Sequence, residues 1–419
     1  MNFIIILLSL ILISGCGKEK EHKIEIRFWH GIESPENNQL LQKKVSEFEK
    51  RNPDIEIKMQ NIGAQDKAMP KILTAISSDK EPELLWYAPV YTGRIAQSGK
   101  LVPAEEYFEQ DPNFNPDNIY EGLLDSGRYK GKIYTVPFET NCLGIYYNKE
   151  HFQQAGIDKI PTSWQEFINV SKKLTIDKDK DGEPERYGFL LPLGIEEWTV
   201  WCWETFLWQA GGGILNQDKT APEFHKTPGV QALKYWVDLK YKHKCAVLSS
   251  RNAGYKLDPF LSENVSMMIN GPWNYPVLKQ QESIKYGSFP LPGNKQKATN
   301  IGGENLYIFK SNAQKEEASW RFASFIMSED FQVDWAIQTG YLPVNKRAAQ
   351  SKKYQEFLNN NPFIRTFVQS MDFGRSRPPV KEYSRISDRI GKAIEKALYQ
   401  KKTAEKALKE AAEQVKDLL

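Results

Sequence analysis

An α/β architecture is predicted by three features of the sequence. Strand-like and helix-like hydrophobic periods alternate along the chain, the strand-like segments are short, and 419 residues suffice for about two to three domains of roughly 150 residues. Apolar residues make up 40% and charged residues 26%, a globular balance that excludes a largely disordered chain and a polytopic membrane protein.

The elements follow in order. Ile24, Ile26 and Phe28 alternate with Glu25 and Arg27, the period of a half-buried strand. Ser34-Pro35 then reads as a cap and first helical position, with Leu40, Leu41, Val45 and Phe48 at helical spacing up to Asn52-Pro53. Ile55, Ile57 and Met59 alternate again. A strand–helix–strand unit of this kind is usually parallel and right-handed. A helix over Asp66–Ser77, a strand over Glu83–Tyr87 and a short helix over Val90–Gln97 continue the pattern. Gly131–Phe138 and Gly144–Asn148 read as strands set almost back to back, so a crossover between domains is expected around Glu139-Thr140-Asn141. Pro161–Phe167 opens a helix, with Trp164 in its core-facing start. Ile386–Leu419 is amphipathic: Ile390, Ile394, Ala397 and Leu398 form one stripe, and Leu408, Ala411, Val415 and Leu418 a second, capped by Thr403. The charged run Lys401–Lys416 is the solvated face of that second helix.

The N-terminus points to export. Phe3–Ile13 is apolar apart from Ser9, too short for a spanning helix of about 20 residues but suited to a signal peptide. Ile13-Ser14-Gly15-Cys16 resembles a lipobox, with Ile where leucine is usual and no Lys or Arg in Met1-Asn2. The expectation is a signal peptide over 1–15, lipid on Cys16, and a tether over 16–22. Three cysteines then remain, Cys142, Cys202 and Cys245; Cys202 with Cys245 could form a bridge, or all three could be buried thiols. The formal charge of +3 and the lack of a long Lys/Arg run give no reason to expect nucleic acid.

No catalytic constellation is present: no Walker loop, GxSxG or HExxH, and five scattered histidines without ligand spacing. Glu196 and Glu197 read as surface charge, since adjacent helical residues do not share a face. Asp177, Asp179 and Asp181 before Gly182 match the first half of a calcium loop, with Glu183 and Glu185 as further donors, but Gly188 stands where the bidentate glutamate belongs. The reading is either a structural calcium site or a charged hairpin. What does recur is aromatic residues beside turn glycines and small polar groups: Phe28–Gly31, Leu85–Tyr87, Trp198–Trp208, Asn270–Asn274 and Gly340-Tyr341. Sugars, with apolar C–H faces and a ring of hydroxyls, call for flat aromatic platforms and carboxylate, amide or guanidinium partners. Trp201 and Trp208 lie seven apart in one helical window, so core packing is the better reading for at least half of the Trp198–Trp208 group.

Together, ordered segments resemble the extracellular solute-binding proteins of ABC importers, of the large class that includes maltose- and glycerol-3-phosphate-binding proteins. They are Arg27–His30, Gly131–Pro137, Tyr146–Lys149, Pro161–Trp164, Asp177–Phe189, Met267–Trp273, Gly302-Gly303, Thr339–Pro343 and Arg377–Pro379. The resemblance implies a type II periplasmic-binding-protein fold of two α/β lobes, 23–139 plus 291–336 and 140–290 plus 337–419, joined by a hinge of crossing segments. It implies a monomeric receptor, with no enzymatic activity and no cofactor beyond the calcium considered above, that passes ligand to membrane permease subunits. Carried onto this sequence, the ligand contacts would be Trp29, His30, Trp86, Tyr87, Glu139, Thr140, Asn141, Trp203, Glu204, Gly271, Trp273, Asn274, Gly303, Glu304, Tyr341 and Arg377. Pro89 stands near where the glycerol-3-phosphate binders carry a carboxylate, which favours a carbohydrate, an oligosaccharide, over a glycerol phosphodiester. An exported glycan-processing enzyme and a non-transport solute sensor are the alternatives.

Overall fold

A computed structural model describes residues 23–63, 65–112, 114–193, 197–251 and 254–419. The expected signal peptide, Cys16 and the tether lie outside the described residues. Thirteen strands are present among them: β1 Ile24–His30, β2 Ile55–Asn61, β3 Leu84–Tyr87, β4 Arg128–Tyr129, β5 Lys132–Ile133, β6 Thr135–Cys142, β7 Gly144–Asn148, β8 Phe189–Leu191, β9 Ala246–Leu248, β10 Met267–Asn270, β11 Tyr286–Pro290, β12 Thr299–Ile308 and β13 Gly374–Arg375.

Two mixed sheets organise the chain. The first runs β13-β12-β3-β1-β2, with β6 also paired to β12; the second runs β11-β7-β10-β8-β9. In the first, β1 lies parallel to β2 and β3, in register Ile24↔Ile55 and Phe28↔Leu84. The connecting helices Pro35–Arg51 and Gln65–Ser77 cover the sheet, as parallel crossovers require. The first of these starts as the sequence predicts: Ser34 Oγ accepts from Asn37 N and Pro35 takes the first helical position. Each sheet has its own apolar core. Ile26, Phe28, Val45, Phe138, Phe322 and Trp335 share one, and Phe167, Phe189, Trp203, Trp236, Ile390 and Leu408 share the other. The last two belong to helices Tyr383–Leu398 and Ala404–Lys416, whose buried stripes are those read from the sequence.

The chain passes between sheets at Leu143, between β6 and β7. Leu143 N donates to Thr299 Oγ1 at 3.1 Å, and that hydroxyl donates back to Leu143 O at 2.8 Å. Strands β6 and β12 run antiparallel through this junction, and both are buried throughout. Leu342 makes a third segment there, exchanging backbone hydrogen bonds with Thr140 at 2.7 and 3.3 Å. The Gly131–Phe138 segment is not one strand. Lys130 (φ 47°) and Gly131 (φ 88°) form a two-residue turn joining β4 to β5, because consecutive positive φ values suit a tight hairpin. Cys142, Cys202 and Cys245 are buried free thiols.

Helix Trp164–Leu174 carries a reciprocal capping box between Ser163 and Glu166. Ser163→Ala is expected to cost about 1 kcal/mol in urea unfolding, the usual loss when an N-cap hydroxyl is removed; no change in the midpoint would show the cap to be idle.

Candidate functional site

Between the two sheets lies a cleft of about 570 Å³. Its floor is the junction itself: Glu139 and Asn141 from β6, and Gly302, Gly303 and Glu304 from β12. One wall comes from Gly31–Ser34 after β1, Trp86 of β3, Tyr91, Trp335 and Tyr341. The other comes from Glu197, Trp198, Trp201, Tyr255, Trp273 and Arg377. A larger groove of about 930 Å³ lies elsewhere, around Phe48, Tyr107 and Trp320.

The second wall is an aromatic cluster. Trp198 and Trp201 sit three residues apart at the start of helix Trp198–Gln209 and so share a face. Their ring centroids are 5.5 Å apart, and Trp273 lies 5.9 Å from Trp201 and 6.3 Å from Trp198. Tyr255, half exposed, stands edge-on to Trp198 at 6.0 Å. The Arg377 guanidinium is 5.7 Å from the Trp201 centroid and is paired with Glu197. Tyr383 Oη lies 3.0 Å from Glu197 Oε1 and 3.3 Å from Glu204 Oε2. Asn300 Nδ2 donates to Glu204 Oε2 at 3.1 Å. The indole nitrogens of Trp198 and Trp201, and Asn141 Oδ1, are buried without a hydrogen-bond partner. Buried polar atoms seldom stay unpaired, so these three are suited to a polar guest.

Charge in the site is set by burial. On the floor, Glu139 accepts from Trp335 Nε1; burial, and then the neighbouring Glu304 carboxylate, hold it well above the usual carboxylate range. Burial opposes the Arg377 charge, but Glu197, Tyr383 and Glu204 outweigh it and raise its pKa. Burial, and then Glu197, push Glu204 from 4.5 up to about 8. Between those two values the folded protein holds a proton that the unfolded chain gives up. The stability from this group is therefore complete below about pH 4.5 and is lost as pH rises through 8. Glu204→Gln is expected to match the parent near pH 5 and to melt higher at pH 8.5; parallel melting curves across that range would refute the assignment.

Of the residues named from the sequence, Trp86, Glu139, Asn141, Trp273, Gly303, Glu304, Tyr341 and Arg377 line the cleft. The others are placed elsewhere. Trp29 packs under Lys71, whose Nζ is 5.0 Å from its ring. His30 is buried beside Phe28, and burial lowers its pKa to about 4. Tyr87 lies in the apolar core with Tyr91 against it at 5.1 Å. Thr140 Oγ1 donates to Gly302 O at 3.1 Å. Trp203 is in the second core and Glu204 stands behind Tyr383. Gly271 lies beneath the Trp273 ring, its carbonyl accepting from Tyr146 Oη. Asn274 Nδ2 donates to Asn270 Oδ1 at 2.9 Å. Glu197, read as surface charge, is instead an ion-pair partner inside the cleft, because its position at the start of the tryptophan helix aims it at Arg377. Tyr91, Tyr255 and Trp335 also line the cleft unannounced; Trp198 and Trp201, within the aromatic stretch noted in the sequence, line it too, so Trp201 faces the cleft rather than the core, and their three-residue spacing was the available signal.

In the acidic loop, carboxylate oxygens of Asp177, Asp179 and Asp181 lie within 4.8 Å of one another. Glu185 is engaged by the Lys178 backbone amide at 2.9 Å, and Glu183 is exposed.

The arrangement binds rather than reacts: it offers platforms and hydrogen-bonding groups around a space the size of a small solute. Residues 43–361 match the family of bacterial extracellular solute-binding proteins, and the chain belongs to that family. It is a binding protein and not an enzyme. The maltotriose-binding protein of Pyrococcus abyssi is 25% identical over 399 residues, covering 93% of this chain and 80% of the relative. The cyclic alpha-maltosyl-1,6-maltose binding protein from Arthrobacter globiformis superposes with a TM-score of 0.83 at 26% identity, covering 94% of this chain and 98% of that one. An ABC substrate-binding protein from Listeria monocytogenes in complex with cycloalternan gives 0.79 at 26% identity, covering 94% and 99%. The fold is the two-lobe, type II binding-protein fold expected from the sequence. Among the described residues no helix is long and apolar enough to cross a membrane.

Proposed function

We propose that this protein is the receptor of an ABC importer, capturing a carbohydrate, an oligosaccharide, between its lobes and delivering it to membrane permease subunits. The lobes are 23–139 plus 291–336 and 140–290 plus 337–419, and a lipid on Cys16 anchors the chain outside the cytoplasm. The observation that carries this reading is the cleft at the crossing of β6 and β12, where the tryptophans of one wall stand opposite carboxylates and the unpaired Asn141 Oδ1 on the floor. Flat rings suit the C–H faces of sugar rings, and carboxylates and amides suit their hydroxyls. The relatives named for maltotriose and cyclic oligosaccharides support the same class of solute. Ligand contacts made by both walls stabilise the closed state over the open one, which is all that closure requires.

The test is thermal unfolding of the chain from residue 17 onward against mono- and oligosaccharides, with glycerol phosphates and amino acids as controls. A ligand at a hundredfold excess over Kd adds roughly 3 kcal/mol. A clear rise with one sugar class, recovered uncleaved, is the expected outcome, and Trp273→Ala should weaken it about tenfold. A flat response across the sugars, or a rise with glycerol phosphates alone, would overturn the carbohydrate assignment.

A further inference from the structure

Behind the tryptophan wall runs a buried polar chain that ends on the cleft. Glu204 follows Trp201 by about one helical turn. It is fully buried, and its Oε1 has no hydrogen-bond partner. Its Oε2 meets Asn300 Nδ2 at 3.1 Å and Tyr383 Oη at 3.3 Å. Tyr383 Oη in turn lies 3.0 Å from Glu197 Oε1. Glu197 is paired with Arg377, whose guanidinium is 5.7 Å from the Trp201 ring centroid. Asn300 Nδ2 also donates to Trp201 O at 3.1 Å, from a strand, β12, that goes on to form the cleft floor at Gly302. One network thus holds both the backbone and the ring of Trp201.

A proton count favours one state of Glu204. A phenol has a single proton to donate, and Tyr383 Oη stands between two carboxyl groups. With Glu204 ionised, that proton serves either Glu204 or Glu197 and the other goes without. With Glu204 protonated, its hydroxyl donates to Tyr383 Oη and the phenol donates to Glu197, so both bonds form. An ionised Glu204 would also be a buried charge with one oxygen unpaired, while the cation near it, Arg377, is bonded to Glu197. Glu197 at the start of its own helix opposes ionisation, whereas Arg377, Asn300 of β12 and Tyr383 of helix Tyr383–Leu398 favour it. Helix Thr227–Tyr241 packs Tyr235 and Trp236 against Phe206 of the same helix instead.

Resting on the carbohydrate reading above, we propose that Glu204 is a positioning residue for the solute site: held as the neutral acid, it orients Tyr383, Glu197 and Arg377, and through them the Trp201 platform, so that its ionisation weakens sugar binding. Burial, and then Glu197, place its pKa at about 8, and Tyr383 and Arg377, both raised, keep their protons through that range. Affinity is therefore full where Glu204 is protonated and falls as pH rises through 8. Glu139 on the floor is raised as well, so variants of the chain, and not the pH profile alone, decide.

Titration calorimetry with maltotriose near pH 6.5 and near pH 9 tests this. The parent is expected to bind about fivefold more weakly at the higher pH, the worth of one hydrogen bond. Glu204→Gln, which keeps a donor toward Tyr383 at every pH, should change by less than about twofold. Tyr383→Phe, which cuts the chain, should bind more weakly at both pH values and lose the dependence. Tryptophan fluorescence of the sugar-free protein gives a second reading: a transition near pH 8 that Glu204→Gln lacks. A parent affinity level between the two pH values, or a dependence that survives in either variant, would overturn the inference and leave the sugar receptor standing. Where maltotriose does not bind, the carbohydrate reading loses support and the fluorescence decides: a transition lost in Glu204→Gln upholds the chain from Glu204 to the platform, and no transition overturns it.

Discussion

Gly303→Ala is expected to lower the unfolding free energy by about 3 kcal/mol and to abolish ligand binding under conditions where the parent is half saturated. Gly303 has φ +108°, a conformation that costs an L-residue about 1–3 kcal/mol. A Cβ there would lie 2.2 Å from Glu139 O and 2.7 Å from Thr140 Cα. Both are backbone atoms of the paired strand, so relief requires moving β6 itself, and overpacking of this kind adds about 1–3 kcal/mol. The residue also adjoins the register shift between Glu304 and Asn305, an irregularity of the sort that re-aims side chains next to functional sites. Gly302→Ala is the contrasting variant. Its Cβ would meet Asn141 Oδ1 at 2.5 Å and Trp201 Cζ2 at 2.8 Å, side chains that can give way. It should cost about 1 kcal/mol of stability while displacing the Trp201 platform and weakening binding. Urea unfolding followed by circular dichroism measures both; a Gly303→Ala loss under about 1 kcal/mol would mean that the junction is softer than its geometry implies.

The fold was legible because its signals are periodic. The alternation of Ile24, Ile26 and Phe28, the helix from Ser34-Pro35 and the stripes of the last two helices each encode burial directly. The cleft was legible only to the level of segment ends, because which side chain faces the solute is a matter of parity. On β3, Trp86 faces the cleft while its neighbour Tyr87 enters the core behind. On β6, Glu139 and Asn141 face it while Thr140 points the other way and ties the junction to Gly302. Successive strand side chains alternate, and the family resemblance marks a segment rather than a face. On helix Trp198–Gln209 the same limit takes a helical form: Trp198 and Trp201 face the solute, and Trp203, 200° round the helix at about 100° per residue, faces the core. The Arg377–Glu197 pair joins positions 180 residues apart, and no local pattern encodes such a meeting.

Arg377→Met is the second large effect expected, a loss of about 3 kcal/mol. The arginine side chain is 9% exposed and Glu197 29%; breaking a buried ion pair by removing one partner typically costs about 3–5 kcal/mol, and the partial exposure of Glu197 places this case at the lower end. Without the guanidinium, Glu197 loses the cation that offsets its charge, and Glu204, already held up by burial and by Glu197, moves further up. Methionine fills much of the same volume, so the loss reports charge more than a cavity. Glu197→Gln alone should also destabilise, since it strands the arginine, whereas the double variant should recover at least 1 kcal/mol relative to the sum of the singles, within the range for contacting residues. A coupling below about 0.5 kcal/mol would show the pair to be a surface-like contact. The effect on binding separates from the effect on stability. Arg377 lies over Trp201 as well as on Glu197, so the double variant, with its charges balanced, should still bind sugar more weakly than the parent because the Trp201 ring has lost the guanidinium packed against it.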